Sequence, residues 1–169
     1  THYMDSTGMP NPKHYTTARD LAVLTQAIIR DFPDHYQLFS MKEFTYNGIT
    51  QRNRNKLLWS DKNVDGVKTG HTQSAGYCLV ASALQGNMRL ISVVLGAASE
   101  NARAEESQKL LSYGFRFYET HRLYGADQTL STARVWKGET ESLPLGFQQD
   151  LYITVPRGQY EKRNAALKV

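Results

Sequence analysis

One short stretch decides how the rest of the chain is read: Asp65-Gly66-Val67-Lys68-Thr69-Gly70-His71-Thr72. Val64 and Val67 favour β-structure, so the stretch predicts a strand that ends near Gly70. Side chains of a strand alternate between its faces, which places Lys68 and Gly70 on one face and Thr69 on the other. Because Gly70 has no side chain, a ligand or another backbone can approach it closely. We therefore predict a strand edge that binds an anion.

The tripeptide Lys68-Thr69-Gly70 resembles the third motif of the penicillin-recognising serine enzymes, where it accompanies the motifs S-x-x-K and S-D-N. Longer runs carry the same resemblance: Asn53-Arg54-Asn55-Lys56-Leu57-Leu58-Trp59, residues 63–72 and Ala75-Gly76-Tyr77. These runs are similar to one branch of the group, the low-molecular-mass penicillin-binding proteins that act as D-alanyl-D-alanine carboxypeptidases. The resemblance extends from Thr1 to about Asn164.

The resemblance implies an α/β fold of the α+β type, with an antiparallel sheet flanked by helices as in penicillin-binding proteins and β-lactamases. Local patterns agree with this fold. Thr17–Asp20 has the hydroxyl and the acid of a helix start, and this helix must end before Pro33. Asn47-Gly48 and Gly86-Asn87 each separate two strand-like runs and predict hairpins. With the Lys68 strand, the second hairpin predicts three antiparallel strands in sequence.

A long helix is predicted to begin at Ser99 or Glu100. Its apolar stripe is expected from Leu110, Leu111, Phe117 and Tyr118, and Glu105 with Lys109 is expected to form an ion pair along one face. Arg103 falls in the first turn, where the helix dipole disfavours a cation. This unfavourable placement indicates a specific use for Arg103.

The pattern changes near Thr120, where helical periodicity gives way to short strand-like runs with turns. We therefore predict two domains, residues 1–120 and residues 121–169. The first resembles the C-terminal part of a penicillin-binding catalytic domain. The second resembles the opening strands of the small all-β stalk domain of these carboxypeptidases, and a β segment of about fifty residues is marginally stable alone.

The partner motifs of the K-T-G sequence are not found. No Ser is followed three residues later by Lys. Ser99-Glu100-Asn101 matches S-x-N in letters only, because it follows the K-T-G whereas the family places that motif before it. We therefore expect the nucleophilic Ser and its Lys to lie outside this chain, which would be the C-terminal part of a longer protein and inactive as this segment alone.

The resemblance implies an enzyme that acts on peptidoglycan stem peptides ending in D-Ala-D-Ala, through an acyl-enzyme that β-lactam antibiotics also form. It assigns to Lys68 the support of the nucleophilic Ser, and to the backbone N–H of His71 one half of the oxyanion hole. It also implies a set of substrate-binding residues, of which the first three hold the terminal carboxylate: Thr69, Arg54, Arg103, Gly70 and Thr72.

Two other functions are compatible with part of the sequence. A class A β-lactamase also carries K-T-G, but in that enzyme the chain would end with the helix, and here a β-rich tail follows it. A non-catalytic cell-wall-binding module would keep the cleft and would lack S-x-x-K. The residues that precede Thr1 discriminate between the enzyme and the module.

Composition limits the remaining partners. A net charge of +4 is compatible with an anionic partner such as a membrane surface, an acidic polymer or nucleic acid, but it favours a mildly basic soluble surface. The basic run 51–56 lacks the repeated aromatic platform of a nucleic-acid module, so no nucleic acid partner is predicted. The spacing of the histidines predicts no metal site. The sequence has no Gly-rich loop of the kind that binds phosphate, so no cofactor is predicted.

Cellular location follows from the resemblance alone. It implies a periplasmic protein that is peripheral to the bacterial inner membrane, through a C-terminal region absent from these residues. The longest apolar run is shorter than a membrane span, and no signal peptide is visible. The single cysteine, Cys78, excludes an internal disulfide and is expected to be a small core residue, because both faces of its strand are apolar.

Overall fold

The structure is a computed structural model that describes residues 1–162. Its α-helices within these residues are α1 Ala18–Asp31, α2 Pro33–Tyr36, α3 Leu57–Ser60 and α4 Glu100–Phe117, with 3₁₀ helices at Gln37–Ser40 and Tyr160–Lys162. Its strands are β1 Glu43–Tyr46, β2 Ile49–Arg52, β3 Val64–Thr72, β4 Gly76–Gln85, β5 Met88–Ala97, β6 Tyr118–Tyr124, β7 Ser131–Arg134, β8 Ser142–Leu145 and β9 Leu151–Pro156. The fold is therefore mixed α/β with antiparallel sheets, as predicted.

The chain divides into two compact units, Thr1–Gly114 and a second unit that begins at Phe115. In the second unit β6 pairs with β9, and β7 pairs with β8. The predicted boundary between residues 120 and 121 lies inside β6. The division falls before this strand, which pairs with β9 from Tyr118 to Tyr124 with a register shift at Leu123. Residues 163–169 of the predicted second domain lie outside the described residues.

The central element of the first unit is an antiparallel sheet with the strand order β3-β4-β5. It confirms the three strands predicted in sequence, and the glycine of its hairpin, Gly86, has the positive φ of 58° that such a tight turn requires. Leu79, Ala81 and Ala83 of β4 are almost completely buried. Because β4 is the middle strand and carries these residues, it forms the centre of the core.

Two local signals formed as predicted. The hydroxyl of Thr17 accepts a hydrogen bond from the Asp20 backbone N–H at 3.1 Å, and α1 ends at Asp31, ahead of Pro33. Asn47 and Gly48 have φ angles of 48° and 74°, the two positive values of a type I′ turn between β1 and β2. Both signals act over two to four residues, so tertiary packing does not override them.

The long helix α4 begins at Glu100 as predicted, but its buried face differs from the predicted stripe. Leu111 is buried, whereas Leu110 and Phe117 are about half exposed and Tyr118 belongs to β6. The buried side chains of α4 are those of Arg103, Ala104, Ser107 and Leu111. They lie on one helical face, and two of the four, Ala104 and Ser107, are small, so the apolar residues alone did not identify this face.

Short residues on this face allow α4 to lie close to the sheet. A Cβ placed on Gly114 would collide with a methyl carbon of Leu90 in β5, so the helix backbone packs against that side chain. On the exposed face, Lys109 pairs with Glu106 at 2.7 Å, and not with Glu105 as predicted. Within residues 1–162, no helix has both the length and the apolar character needed to cross a bilayer.

Candidate active site

A cavity of about 940 Å³ lies beside β3 in the first unit. The seven residues singled out from the sequence all line it: Arg54, Lys68, Thr69, Gly70, His71, Thr72 and Arg103. They come from β3, from the loop after β2 and from the first turn of α4. The fold thus brings together three cations that are far apart in the sequence.

The strand β3 supplies one wall of the cavity through residues 67–72. Among residues 1–162 it is an edge strand of its sheet, with β4 on one side and no strand on the other. An edge strand presents backbone N–H and C=O groups that another extended chain can pair with. The exposed Lys68 donates from Nζ to the carbonyl oxygen of Thr69 at 2.7 Å, which holds its ammonium group against this strand.

Gly70 opens a space on the sheet that exposes the next strand. It pairs with Cys78 of β4, and a Cβ on Gly70 would make only ordinary contact with the Cys78 Cβ, at 3.8 Å. Cys78 is only partly buried and lines the cavity. The prediction that Cys78 is a core residue is therefore wrong, because the neighbouring strand has no side chain to cover it.

His71 lines the cavity and packs its ring against the neighbouring strand. Its imidazole lies against the ring of Tyr77, the residue opposite it in β4, with 4.0 Å between the ring centroids. At the next position, the hydroxyl of Thr72 accepts a hydrogen bond from the Ala75 N–H at 2.9 Å and closes the turn between the strands. These contacts fix the end of β3, where the predicted oxyanion-hole donor lies.

Arg103 reaches from α4 to β3. Its Nη1 donates to the carbonyl oxygen of Gly70 at 3.1 Å, its Nη2 lies 3.6 Å from a carboxylate oxygen of Glu100, and its guanidinium lies over the ring of Tyr77. The side chain is only 3% exposed although it also lines the cavity. Sequence reasoning predicted a special use for this cation, but not its contact with the strand.

Arg54 differs from Arg103 because it is exposed at the cavity. Within residues 1–162, no acidic side chain forms an ion pair with it. Its neighbours Asn53 and Asn55 use their side-chain amides to bind backbone groups on both sides of it. Sequence reasoning missed these two residues, although a pair of amides that flanks a cation in a loop is a turn signal.

A second set of polar residues lies at the start of β3. Tyr36 donates its hydroxyl proton to Asp65 at 2.7 Å, and Arg89 pairs with the same carboxylate at 2.8 Å and donates to Ser82 at 2.7 Å. Burial, together with the bond to Asp65, raises the pKa of Tyr36 to about 12. This network joins α2, β3, β4 and β5, and sequence reasoning did not find it because its members lie in four separate segments.

Comparisons with known proteins identify the family. A family model described as D-alanyl-D-alanine carboxypeptidase matches residues 1–99, and a model described as the C-terminal domain of penicillin-binding protein 5 matches residues 118–169. The carboxypeptidase DacA of Escherichia coli K12 is 47% identical over 98% of this chain. The chain covers 41% of that relative, so it spans less than half of its length.

Solved structures support the same assignment. Penicillin-binding protein 5 from Haemophilus influenzae is 47% identical over 95% of this chain and 47% of its own, with a TM-score of 0.84. Penicillin-binding protein D2 from Listeria monocytogenes, in a cefotaxime-bound form, is 32% identical over 68% of this chain and 48% of its own, with a TM-score of 0.63. The chain therefore has the penicillin-binding-protein fold and belongs to the D-alanyl-D-alanine carboxypeptidase family.

Proposed function

We propose that this chain supplies the K-T-G side of the active site of a serine-type D-Ala-D-Ala carboxypeptidase, which removes the terminal D-alanine from peptidoglycan stem peptides. The observation that carries the proposal is the open edge of β3, with Lys68 on it and Arg54 and Arg103 at the same cavity. A peptide that ends in a carboxylate matches both features. Its backbone adds to the strand edge, and its anion meets the cations.

The last five residues of β3 then each have a role. Lys68 provides positive charge beside the nucleophilic Ser and takes part in its proton network. The backbone N–H of His71 stabilises the oxyanion together with the N–H of that Ser, and such preorganised donors accelerate acyl transfer by roughly a hundred- to a thousand-fold. Thr69 and Thr72 offer hydroxyl groups to the substrate, and Gly70 leaves room for its backbone.

The terminal carboxylate is recognised by Arg54 and Arg103 together with Thr69. A charge-assisted hydrogen bond to a carboxylate contributes about 1.5–3 kcal/mol. Arg54 is the more available of the two cations because it is exposed. Arg103 already donates to the Gly70 carbonyl oxygen and forms an ion pair with Glu100. This recognition restricts cleavage to the end of a peptide and so accounts for a carboxypeptidase.

The reaction proceeds through an ester. The Ser oxygen attacks the carbonyl carbon of the penultimate D-Ala, the peptide C–N bond breaks, and the terminal D-Ala leaves as an amine after receiving a proton. Water then hydrolyses the ester and restores the Ser. We infer that the Ser and its Lys lie in a part of the protein outside these residues, so the segment alone is inactive.

β-Lactams enter the same site. Attack on the lactam carbonyl opens the ring, and the leaving nitrogen stays attached to the acyl group, so the ester persists. The cefotaxime-bound form of the Listeria monocytogenes relative supports this part of the proposal.

We further propose that the protein works in the periplasm and meets the inner-membrane surface through a region outside these residues. Its substrate, the cell-wall stem peptide, is found in that compartment. The net charge of +4 is compatible with an anionic membrane surface.

Two alternatives remain as outcomes of the tests. A class A β-lactamase is disfavoured, because paired strands follow α4 in the second unit. A non-catalytic cell-wall-binding module would bind the peptide without cleaving it.

The deciding experiment uses the full-length protein. It should become covalently labelled by a fluorescent penicillin, and it should release D-alanine from a peptide that ends in D-Ala-D-Ala. Rapid hydrolysis of penicillin without release of D-alanine would favour the β-lactamase. Peptide binding without label or product would favour the binding module.

A further inference from the structure

The loop that carries Arg54 is built around two asparagines. The side-chain oxygen of Asn53 accepts a hydrogen bond from the backbone N–H of Asn55 at 3.0 Å. This contact closes a ring that contains the backbone of Arg54, in the manner of an Asx-turn. The conformation of Arg54 is therefore set by its two neighbours.

Asn53 also ties the loop to the segment that precedes β1. Its Nδ2 donates to the carbonyl oxygen of Met41 at 3.0 Å and to that of Phe39 at 3.4 Å, and its backbone N–H donates to Lys42 at 2.7 Å. Phe39 lines the cavity, as does Asn53 itself. One side of the loop is thus anchored to the segment that contains Phe39, which also lines the cavity.

Asn55 ties the other side of the loop to β3. It is 1% exposed, and its Nδ2 donates to the carbonyl oxygen of Gly66 at 3.0 Å. Its Oδ1 accepts from the backbone N–H of Leu57 at 3.2 Å, so both ends of the buried amide are satisfied. Gly66 lies two residues before Lys68, and this contact therefore fixes the distance between the Arg54 loop and the Lys68 strand.

We propose that Asn53 and Asn55 are positioning residues that hold Arg54 in place to receive the substrate carboxylate. This inference rests on the proposed function of the site. Arg54 is exposed and lines the cavity, and a long exposed side chain loses conformational freedom when it binds. Fixing its backbone at both flanks reduces that cost and aims its planar fork of donors at a carboxylate.

The proposal is tested by a double-mutant cycle in the full-length protein. The measurement is kcat/KM for an N-acylated peptide ending in D-Ala-D-Ala and for the same peptide with an amidated C-terminus. Asn53→Ala should lower kcat/KM about two- to tenfold for the free carboxylate, the range expected for one side-chain hydrogen bond, and mainly through KM. The amide should change by less than about twofold.

The second half of the cycle shows whether Asn53 acts by positioning Arg54 or only by stabilising the fold. In an Arg54→Ala background, Asn53→Ala should cause less than about a twofold further loss, since there is no longer a guanidinium to position. Asn53→Ser keeps a hydroxyl that can accept from the Asn55 N–H, so it should recover part of the loss. Thr50→Ala, on the exposed end of the neighbouring hairpin, is the matched control and should leave both substrates unchanged.

Three results would overturn the proposal. They are an equal loss on the two substrates, a loss that persists in full without Arg54, or an Arg54→Ala variant with unchanged turnover. Thermal unfolding of each variant shows whether a loss of activity comes from misfolding. If Asn53→Ala misfolds, the kcat/KM values of the Asn53→Ser variant decide whether Asn53 positions Arg54. If the wild-type protein releases no D-alanine at all, the proposed function fails instead.

Discussion

Arg103 of α4 donates a hydrogen bond to the carbonyl oxygen of Gly70 in β3, over 3.1 Å. A cation in the first turn of a helix opposes the helix dipole, so the position is unfavourable for stability alone. Here Glu100 and the ring of Tyr77 offset that cost. The contact joins the helix to the strand end that holds His71, and Arg103 therefore supports the shape of the site as well as its charge.

This dual role predicts different defects for the two arginines. Arg103→Ala should lower kcat/KM for a D-Ala-D-Ala peptide and for its C-terminal amide, because the Gly70 carbonyl loses its partner and the strand end shifts. The loss should be larger for the free carboxylate, because one of the cations that recognise it is also removed. Arg54→Ala should lower it about ten- to a hundred-fold for the carboxylate and much less for the amide. Steady-state kinetics on both peptides in full-length protein checks this. Identical profiles for the two variants would contradict the separate roles.

Lys68 is predicted to support acylation. Lys68→Ala in the full-length protein should slow labelling by a fluorescent penicillin by orders of magnitude, because the positive charge beside the nucleophile is lost while the strand remains paired with β4. Lys62→Ala removes an exposed lysine outside the cavity and should label at the wild-type rate. Unchanged labelling kinetics for Lys68→Ala would remove Lys68 from the mechanism.

The isolated 169-residue chain is predicted to be inert toward penicillins. A site that lacks its nucleophile retains almost no covalent catalysis. Intact-mass spectrometry after incubation with penicillin should show the unmodified chain, and the full-length protein in parallel should gain the mass of one penicillin. An adduct on the isolated chain would reveal a nucleophile within it, and peptide mapping would distinguish a serine from Cys78 on the cavity wall.

Tyr36 is predicted to make the fold sensitive to alkaline pH. Its pKa is raised from 10.0 to about 12, so from about pH 10 upward the unfolded chain loses this proton while the folded chain keeps it. The contribution of the protonated Tyr36 to the free energy of unfolding is therefore complete below about pH 10 and is lost by about pH 12. This contribution is about 2–3 kcal/mol, because one pKa unit corresponds to about 1.4 kcal/mol.

The test compares wild type with Tyr36→Phe by denaturant unfolding at a series of alkaline pH values. The phenylalanine variant should lose less unfolding free energy across this range, because it has no proton to release. Tyr46→Phe, at an exposed position, is the control and should behave as wild type. A Tyr36→Phe variant that follows the wild-type curve would show that Tyr36 is not the responsible group.

The sequence by itself determined the features that depend on a few neighbouring residues. The Asn47-Gly48 turn formed because few other residue pairs accept two positive φ angles. The α1 helix began where Thr17 could cap it. The Lys68 strand and the hairpin beside it followed from runs of β-forming residues between turn signals. The candidate residues at the cavity came from the family resemblance, which is also a property of the sequence.

Tertiary structure alone decided which side chains are covered and what they touch. Cys78 is open to the cavity because its cross-strand neighbour is Gly70. Leu110 of α4 is exposed because the helix buries a different face, the one that carries Arg103, Ser107 and Leu111. The hydrogen bond from the Asn55 side chain to the Gly66 carbonyl oxygen joins residues that are eleven positions apart in the chain. Such contacts depend on how distant segments meet in space, and local propensity contains no information about that meeting.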